Sequence, residues 1–143
     1  MVYVTAVVAA ALAFIFIKLS FTVIELRKIH KVSIGSGGVD ALERAMRAHA
    51  NFSEYVPLGL VLIASLELNG APWMLVAVVG LFLVLGRYFH AKGMHEDGLN
   101  FENRATGMKF TLVGLALSAF ANVVWVAYAL IASARFAANI YVN

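Results

Sequence analysis

The stretch RAHANFSEYVP (47–57) places Arg47, His49, Asn51, Ser53 and Glu54 within eight positions of a chain that is 62% hydrophobic. On a helical wheel, at ~100° per residue, Arg44, Arg47, Asn51 and Glu54 fall within about 80° of one another. Positions 47, 51 and 54 follow the i, i+4, i+7 rule, while Ala45, Ala48, Ala50 and Phe52 fill much of the remaining surface. A helix with one polar side then leads into the apolar run 55–68. Charged side chains are costly in a membrane and there face a bundle interior or a wet cavity. The stretch therefore reads as the first half of a membrane helix whose polar side lies at the membrane boundary.

The rest of the chain fits that reading. Its 143 residues suffice for one domain, only 13% are charged, and the mean hydropathy is +0.86. A soluble domain of this size needs far more polar surface, so lipid is the expected solvent. Apolar segments cover 2–26, 55–68, 72–89 and 110–132. Helices satisfy their own backbone hydrogen bonds, which lipid cannot do. The expected fold is all-α: an integral membrane four-helix bundle in a single domain, 1–143, with helices at about 2–29, 40–68, 72–92 and 104–135. The opening MVYVTA has no basic n-region and no small-residue cleavage site follows the run, so the first segment reads as a mature helix. Asp40 with Glu43 is a capping-box variant at the start of the second helix. Asn69-Gly70 stops that helix, Pro72 suits the first turn of the third, and Pro57 predicts a kink.

The pI near 9.4 does not point to nucleic acid, because of where the charge sits. Arg27, Lys28, Lys31, Arg44, Arg47, Arg87, Lys92, Arg104 and Lys109 all fall at or near the first and third loops, while the second, ELNGAPW, has no Lys or Arg. This positive-inside asymmetry places loops one and three in the cytoplasm and both termini outside. There is no cysteine, so any thiol chemistry must use a sulfur brought by a ligand. The Gly-rich loop HKVSIGSGGVD lacks the Gly-Lys-Ser/Thr ending of a phosphate loop and reads as a flexible turn. His90 and His95, at i, i+5, are poorly spaced for a metal, and none is expected. The NFS match to a glycosylation site carries nothing at membrane depth on the cytoplasmic side.

Several polar residues have ordinary explanations. Arg104, Thr111, Ser118 and Asn122 share one face of the fourth helix with Gly107 and Gly114, a pattern that marks close helix packing in membranes. Lys18, Thr22 and Glu25 share a face of the first helix; an ion pair or a snorkelling lysine explains them as well as a ligand does. His49 projects opposite Arg47 and reads as an interhelix or intersubunit contact. Trp73 and Trp125 read as interfacial or packing aromatics. Glu67, near the outer end of the second helix, reads as solvated.

The remaining charges converge. The first helix ends with Arg27 and Lys28, GRYFHAKGMH ends the third with Arg87, Tyr88, His90 and Lys92, and Arg104 opens the fourth. With four helices, these all lie on the cytoplasmic side with Arg47, Asn51 and Glu54. One reading is a set of packing ion pairs, Arg47 with Glu54 or Arg44 with Glu43. The other is a cationic pocket holding one acid. Such a pocket suits a tripeptide thiol with two carboxylates and one ammonium: arginines take carboxylates bidentately, Glu54 takes the ammonium, and Asn51 an amide. A cation beside the sulfur lowers a thiol pKa from its usual ~8.5, each unit being worth about 1.36 kcal/mol.

At these residues the chain resembles the MAPEG family, membrane-associated proteins of eicosanoid and glutathione metabolism. The pattern R-x-x-x-N-x-x-E-Y-x-P is Arg47, Asn51, Glu54, Tyr55 and Pro57 here, joined by RYFHAKGM at the end of the third helix and NRATGMKFTL at the start of the fourth. The ELNGA loop is similar to that of the family's bacterial inner-membrane branch, which implies a plasma-membrane location. The resemblance implies a homotrimer that binds glutathione, as cosubstrate, between subunits near the cytoplasmic face. A small lipophilic electrophile or hydroperoxide would enter from the bilayer. Arg47, Asn51, Glu54 and Tyr55 match glutathione-contacting positions, and His49 stands where conjugating members carry Gln. Arg27 and Lys28 match paired arginines, and Tyr88 matches a contacting tyrosine, with Arg87 and Lys92 completing the pocket. Arg104 matches the thiolate-stabilising arginine. Two features depart from the pattern: Lys92 replaces a second tyrosine, and the loop HEDGLNFEN differs in length. The other function class left open is a non-catalytic membrane scaffold or accessory subunit whose polar cluster locks the oligomer. A transporter finds little support without inverted repeats or a midplane charge track.

Overall fold

A computed structural model describes the backbone of residues 1–95 and 100–142 and the side chains of 1–94 and 100–135. It contains four helices: α1 (Tyr3–His30), α2 (Asp40–Leu68), α3 (Trp73–His95) and α4 (Phe101–Val142). No strand occurs among the described residues.

Local chemistry sets the helix ends. α1 stops where Lys31 turns left-handed (φ 54°) and its N–H bonds back to the Arg27 and Lys28 carbonyls. α2 begins at Asp40, but the expected capping box does not form. Val39 is the N-cap in extended conformation and no side chain caps the helix. Asp40 and Glu43 instead lie inside the first turn, where their charges favour the helix dipole. α2 runs through Pro57 without a break and ends at Asn69-Gly70 as predicted, Gly70 supplying φ 79°. α4 starts at Phe101 rather than 104. Asn100 explains the difference, because its Oδ1 accepts from the Asn103 N–H and caps the helix. No Gly or Pro follows Gly114, so nothing local ends α4 at 135 and it continues to Val142.

α1, α3 and α4 are each long and apolar enough to cross a membrane; α2 is not. The sequence reading expected four such helices. The reason for the difference is visible in the packing. α2 buries one continuous seam, Leu42, Ala45, Ala48, Phe52, Val56, Gly59, Ile63 and Leu66, against its neighbours, so its other faces can be polar. α2 and α3 form the centre, with α1 and α4 on either side; among the described residues α1 and α4 do not touch.

Between membrane helices packing is driven by close fit rather than by escape from water, so small residues matter. α3 and α4 meet nearly backbone to backbone. A Cβ added at Gly86 would lie 2.7 Å from the Thr111 nitrogen, and one at Gly107 would lie 2.7 Å from the Gly86 oxygen and clash with the His90 nitrogen. Ser118, buried, bonds back to the Gly114 carbonyl, and Asn122 crosses to the Leu62 carbonyl of α2. These contacts agree with the packing role read from the α4 stripe.

At the end of the bundle that holds the 69–72 turn, Glu67 is not simply solvated. Its carboxylate accepts from the backbone N–H of Val4 (2.9 Å) and Thr5 (2.8 Å) and from the Thr5 hydroxyl (2.6 Å). It thereby caps α1 from a distance of more than sixty residues in sequence, supplying an anion where helix N–H groups lack partners. Trp125 donates to the Asn69 carbonyl at the same end (2.8 Å).

Candidate functional site

The opposite end of the bundle carries the basic residues. Helix geometry divides the polar residues of α2 into three directions. His49 turns toward α1, where Nε2 lies 3.2 Å from the Ser20 hydroxyl and the ring packs 4.7 Å from Phe16. It is an interhelix contact within the chain. Asn51 and Tyr55 turn toward α3. Arg47 and Glu54 lie roughly opposite the buried seam and are exposed.

The direction toward α3 ends at Arg87, which is 1% exposed. Its Nε (3.1 Å) and Nη2 (2.6 Å) donate to the Thr111 hydroxyl. Nη1 donates to the Asn51 side-chain oxygen (2.6 Å) and backbone carbonyl (3.3 Å), and Nη2 also approaches the Met108 sulfur (3.5 Å). The guanidinium lies over the Tyr55 ring, 5.3 Å from its centroid. A guanidinium has five N–H donors, and here protein groups occupy them all, leaving none for a ligand. None of these partners is an acid, so the cation is held by neutral dipoles and a π face alone. The arrangement depends on the glycine contact described above: α4 approaches α3 closely enough at Gly86 for Thr111 to reach Arg87.

Other sequence-predicted residues are spread around the same end. Arg27 folds over the first loop and donates to the carbonyls of Val32 (3.4 Å), Ser33 (3.1 Å) and Gly35 (3.1 Å). Lys28 is exposed beside it and, with Lys31, lines a shallow depression of about 370 Å³. Tyr88, 53% exposed, and Lys92 line an α1–α3 groove of about 510 Å³ together with Lys18 and Phe14. Arg104 is exposed at the start of α4, its guanidinium 5.9 Å from the Phe101 ring centroid, and its backbone packs against Gly93 of α3. The face shared by Lys18, Thr22 and Glu25 is divided in space. Lys18 serves the α1–α3 groove, whereas Thr22 and Glu25 line an α1–α2 cavity of about 310 Å³ with Arg44 and Met94.

These residues lie toward one end of the bundle, but one chain does not gather them around one cavity. Arg87, Asn51 and Tyr55 meet inside; Arg47 and Glu54 face outward from α2; Tyr88 and Lys92 face the α1–α3 groove. Among the described residues, Arg47 and Glu54 form no ion pair with each other, nor do Arg44 and Glu43. That removes the packing ion pairs offered as an alternative within the chain. Among the described residues no group of His, Asp and Glu is placed to hold a metal ion; the His95 side chain lies outside them. Sequence reasoning placed Thr111 in a packing stripe and missed its bond to Arg87. The available signal was an arginine flanked by apolar residues with no acid one turn away on its own helix.

Comparison with known proteins agrees with this architecture. The profile of the MAPEG family matches residues 5–124. The inner membrane protein YecN of Escherichia coli strain K12 is 36% identical over 132 residues, covering 92% of this chain and 99% of the relative. YecN of Escherichia coli O6:H1 strain CFT073 matches to the same extent. With four helices in this order, the R-x-x-x-N-x-x-E-Y-x-P pattern on α2 and a family match over most of its length, the chain belongs to the MAPEG family.

Proposed function

We propose that this protein is a glutathione-dependent transferase or peroxidase of a bacterial inner membrane, working as a homotrimer with both termini outside the cytoplasm. Glutathione binds between subunits near the cytoplasmic face. Arg47, Asn51, Glu54 and Tyr55 of one subunit hold the peptide, and Arg27, Lys28, Tyr88 and Lys92 complete the enclosure from either side of the interface. Arg104 faces the sulfur and favours its thiolate form. In conjugation, the thiolate attacks an electrophilic carbon, the S–C bond forms, and the leaving oxygen or halide takes the displaced electron pair. In peroxidase turnover, two glutathione thiols become one disulfide while a hydroperoxide becomes an alcohol and water. Positioning thiolate and lipophilic partner together supplies much of the acceleration.

The observation that carries this reading is the outward face of α2. Arg47 and Glu54 are exposed and unpaired with each other, seven residues and so roughly 10 Å apart along the helix. Such a face is costly against lipid and calls for a polar partner. A neighbouring subunit with a zwitterionic peptide between the two supplies one. Family membership and the inner-membrane relatives support the same reading.

Titration of the purified protein with glutathione tests it. Ultraviolet thiolate absorbance should appear on binding and vanish in Arg104→Ala, with binding heat retained. No binding at millimolar glutathione refutes the proposal. The scaffold reading draws on the same unpaired face. It predicts that Arg47→Ala and Glu54→Ala dissociate the oligomer and that glutathione leaves the melting temperature unchanged.

A further inference from the structure

The Arg87–Asn51 contact has a consequence for ligand choice. A guanidinium donates only and has no acceptor. The end of the Asn51 amide that meets Arg87 must therefore be the oxygen, and it does so at 2.6 Å. The amide nitrogen is thereby turned away from the guanidinium. Asn51 is half-buried, and its Nδ2 donates to no described residue. Nor is Nδ2 sealed inside, because no enclosed side-chain nitrogen or oxygen among the described residues lacks a partner. The NH₂ group is thus not fully enclosed, and no described residue takes up its hydrogens.

We propose that Arg87 is a positioning residue that locks the Asn51 amide with its NH₂ outward, making that point of the site selective for a hydrogen-bond acceptor on the ligand, a peptide carbonyl or carboxylate oxygen. Arg87 does not touch the ligand. Four further contacts fix it, two to Thr111 and one each to the Asn51 carbonyl and Met108, with the Tyr55 ring against its face. The amide cannot flip without setting its NH₂ against the guanidinium in the protein interior, where donor facing donor leaves both unsatisfied. In order along α2 there are then a donor at Arg47, a donor at the Asn51 NH₂ beside that outward face, and an acceptor at Glu54. A ligand read by this order carries acceptor groups toward Arg47 and an ammonium toward Glu54. The inference rests on the peptide-thiol reading of the site and specifies how that peptide is held.

Asn51→Asp separates orientation from stability. The aspartate keeps an oxygen on Arg87, now as an ion pair, while turning a second oxygen outward in place of the NH₂. The measurements are calorimetric titration of the full-length trimer with glutathione and thermal unfolding followed by circular dichroism. The expected result is an unchanged or raised melting temperature with glutathione affinity reduced roughly 10- to 100-fold, the value of a hydrogen bond to a charged group. Equal affinity in wild type and variant overturns the orientation role alone. A lowered melting temperature overturns it too, since Oδ1 would then not be the group Arg87 holds. Absence of glutathione binding by the wild type overturns the peptide-thiol reading and this inference with it.

Discussion

Thr111→Val tests whether neutral dipoles hold the buried cation at the centre of the bundle. Valine matches threonine in shape, so packing against Gly86 is kept and only the hydroxyl is lost. That hydroxyl accepts from Arg87 Nε at 3.1 Å and Nη2 at 2.6 Å and donates to the Gly107 carbonyl at 2.8 Å. A hydrogen bond to a charged group is worth about 1.5–3 kcal/mol. Two bonds to one oxygen count for less than twice that, and the bond to Gly107 is a helix-internal one of small net value. The sum is a loss of about 3 kcal/mol. Thr111→Ser keeps the oxygen and loses one methyl, about 0.8 kcal/mol, and serves as the control. Unfolding by titration with sodium dodecyl sulfate in mixed micelles reads both variants, by helicity and by tryptophan fluorescence. Valine within about 0.5 kcal/mol of wild type, or serine as damaging as valine, refutes the claim that Thr111 is the chief partner of Arg87.

Further outcomes follow from the same packing. Gly107→Ala drives a Cβ against the Gly86 oxygen at 2.7 Å and the His90 nitrogen, both backbone atoms that no rotamer change can move. It should cost about 3 kcal/mol, the upper end for overpacking. Glu67→Gln loses the charge and one of two acceptor oxygens at the start of α1. It should destabilise by about 1–2 kcal/mol, with faster amide exchange confined to Val4 and Thr5. Asn100→Ala removes the α4 cap and should cost about 1 kcal/mol in the same unfolding assay.

Much of the fold was legible because lipid demands long apolar helices and leaves few alternatives. The stop at Asn69-Gly70, the packing stripe through Ser118 and Asn122, and the inward turn of His49 could all be read from spacing. What escaped were partners distant in sequence. Glu67 looked solvated because Val4 and Thr5 lie more than sixty residues away. Arg87 looked like a ligand cation because its acceptor, Thr111, sits on another helix. Asn100 was passed over as a cap because its helix opens with Phe-Glu-Asn-Arg, a stretch without a clear hydrophobic period. For the residues of the α2 motif, sequence spacing cannot say that Asn51 turns into the chain while Arg47 and Glu54 turn out of it. That division follows from which side of α2 carries the buried seam.

The account depends on the outward face of α2 being one wall of a peptide site that a second subunit closes. Native mass spectrometry of the detergent-released protein, with and without glutathione, measures both halves of that statement at once. A trimer that takes up three glutathione molecules, and an Arg47→Ala trimer that takes up none, is the predicted result. A monomer, or a trimer that stays free of glutathione at millimolar concentration, would contradict it.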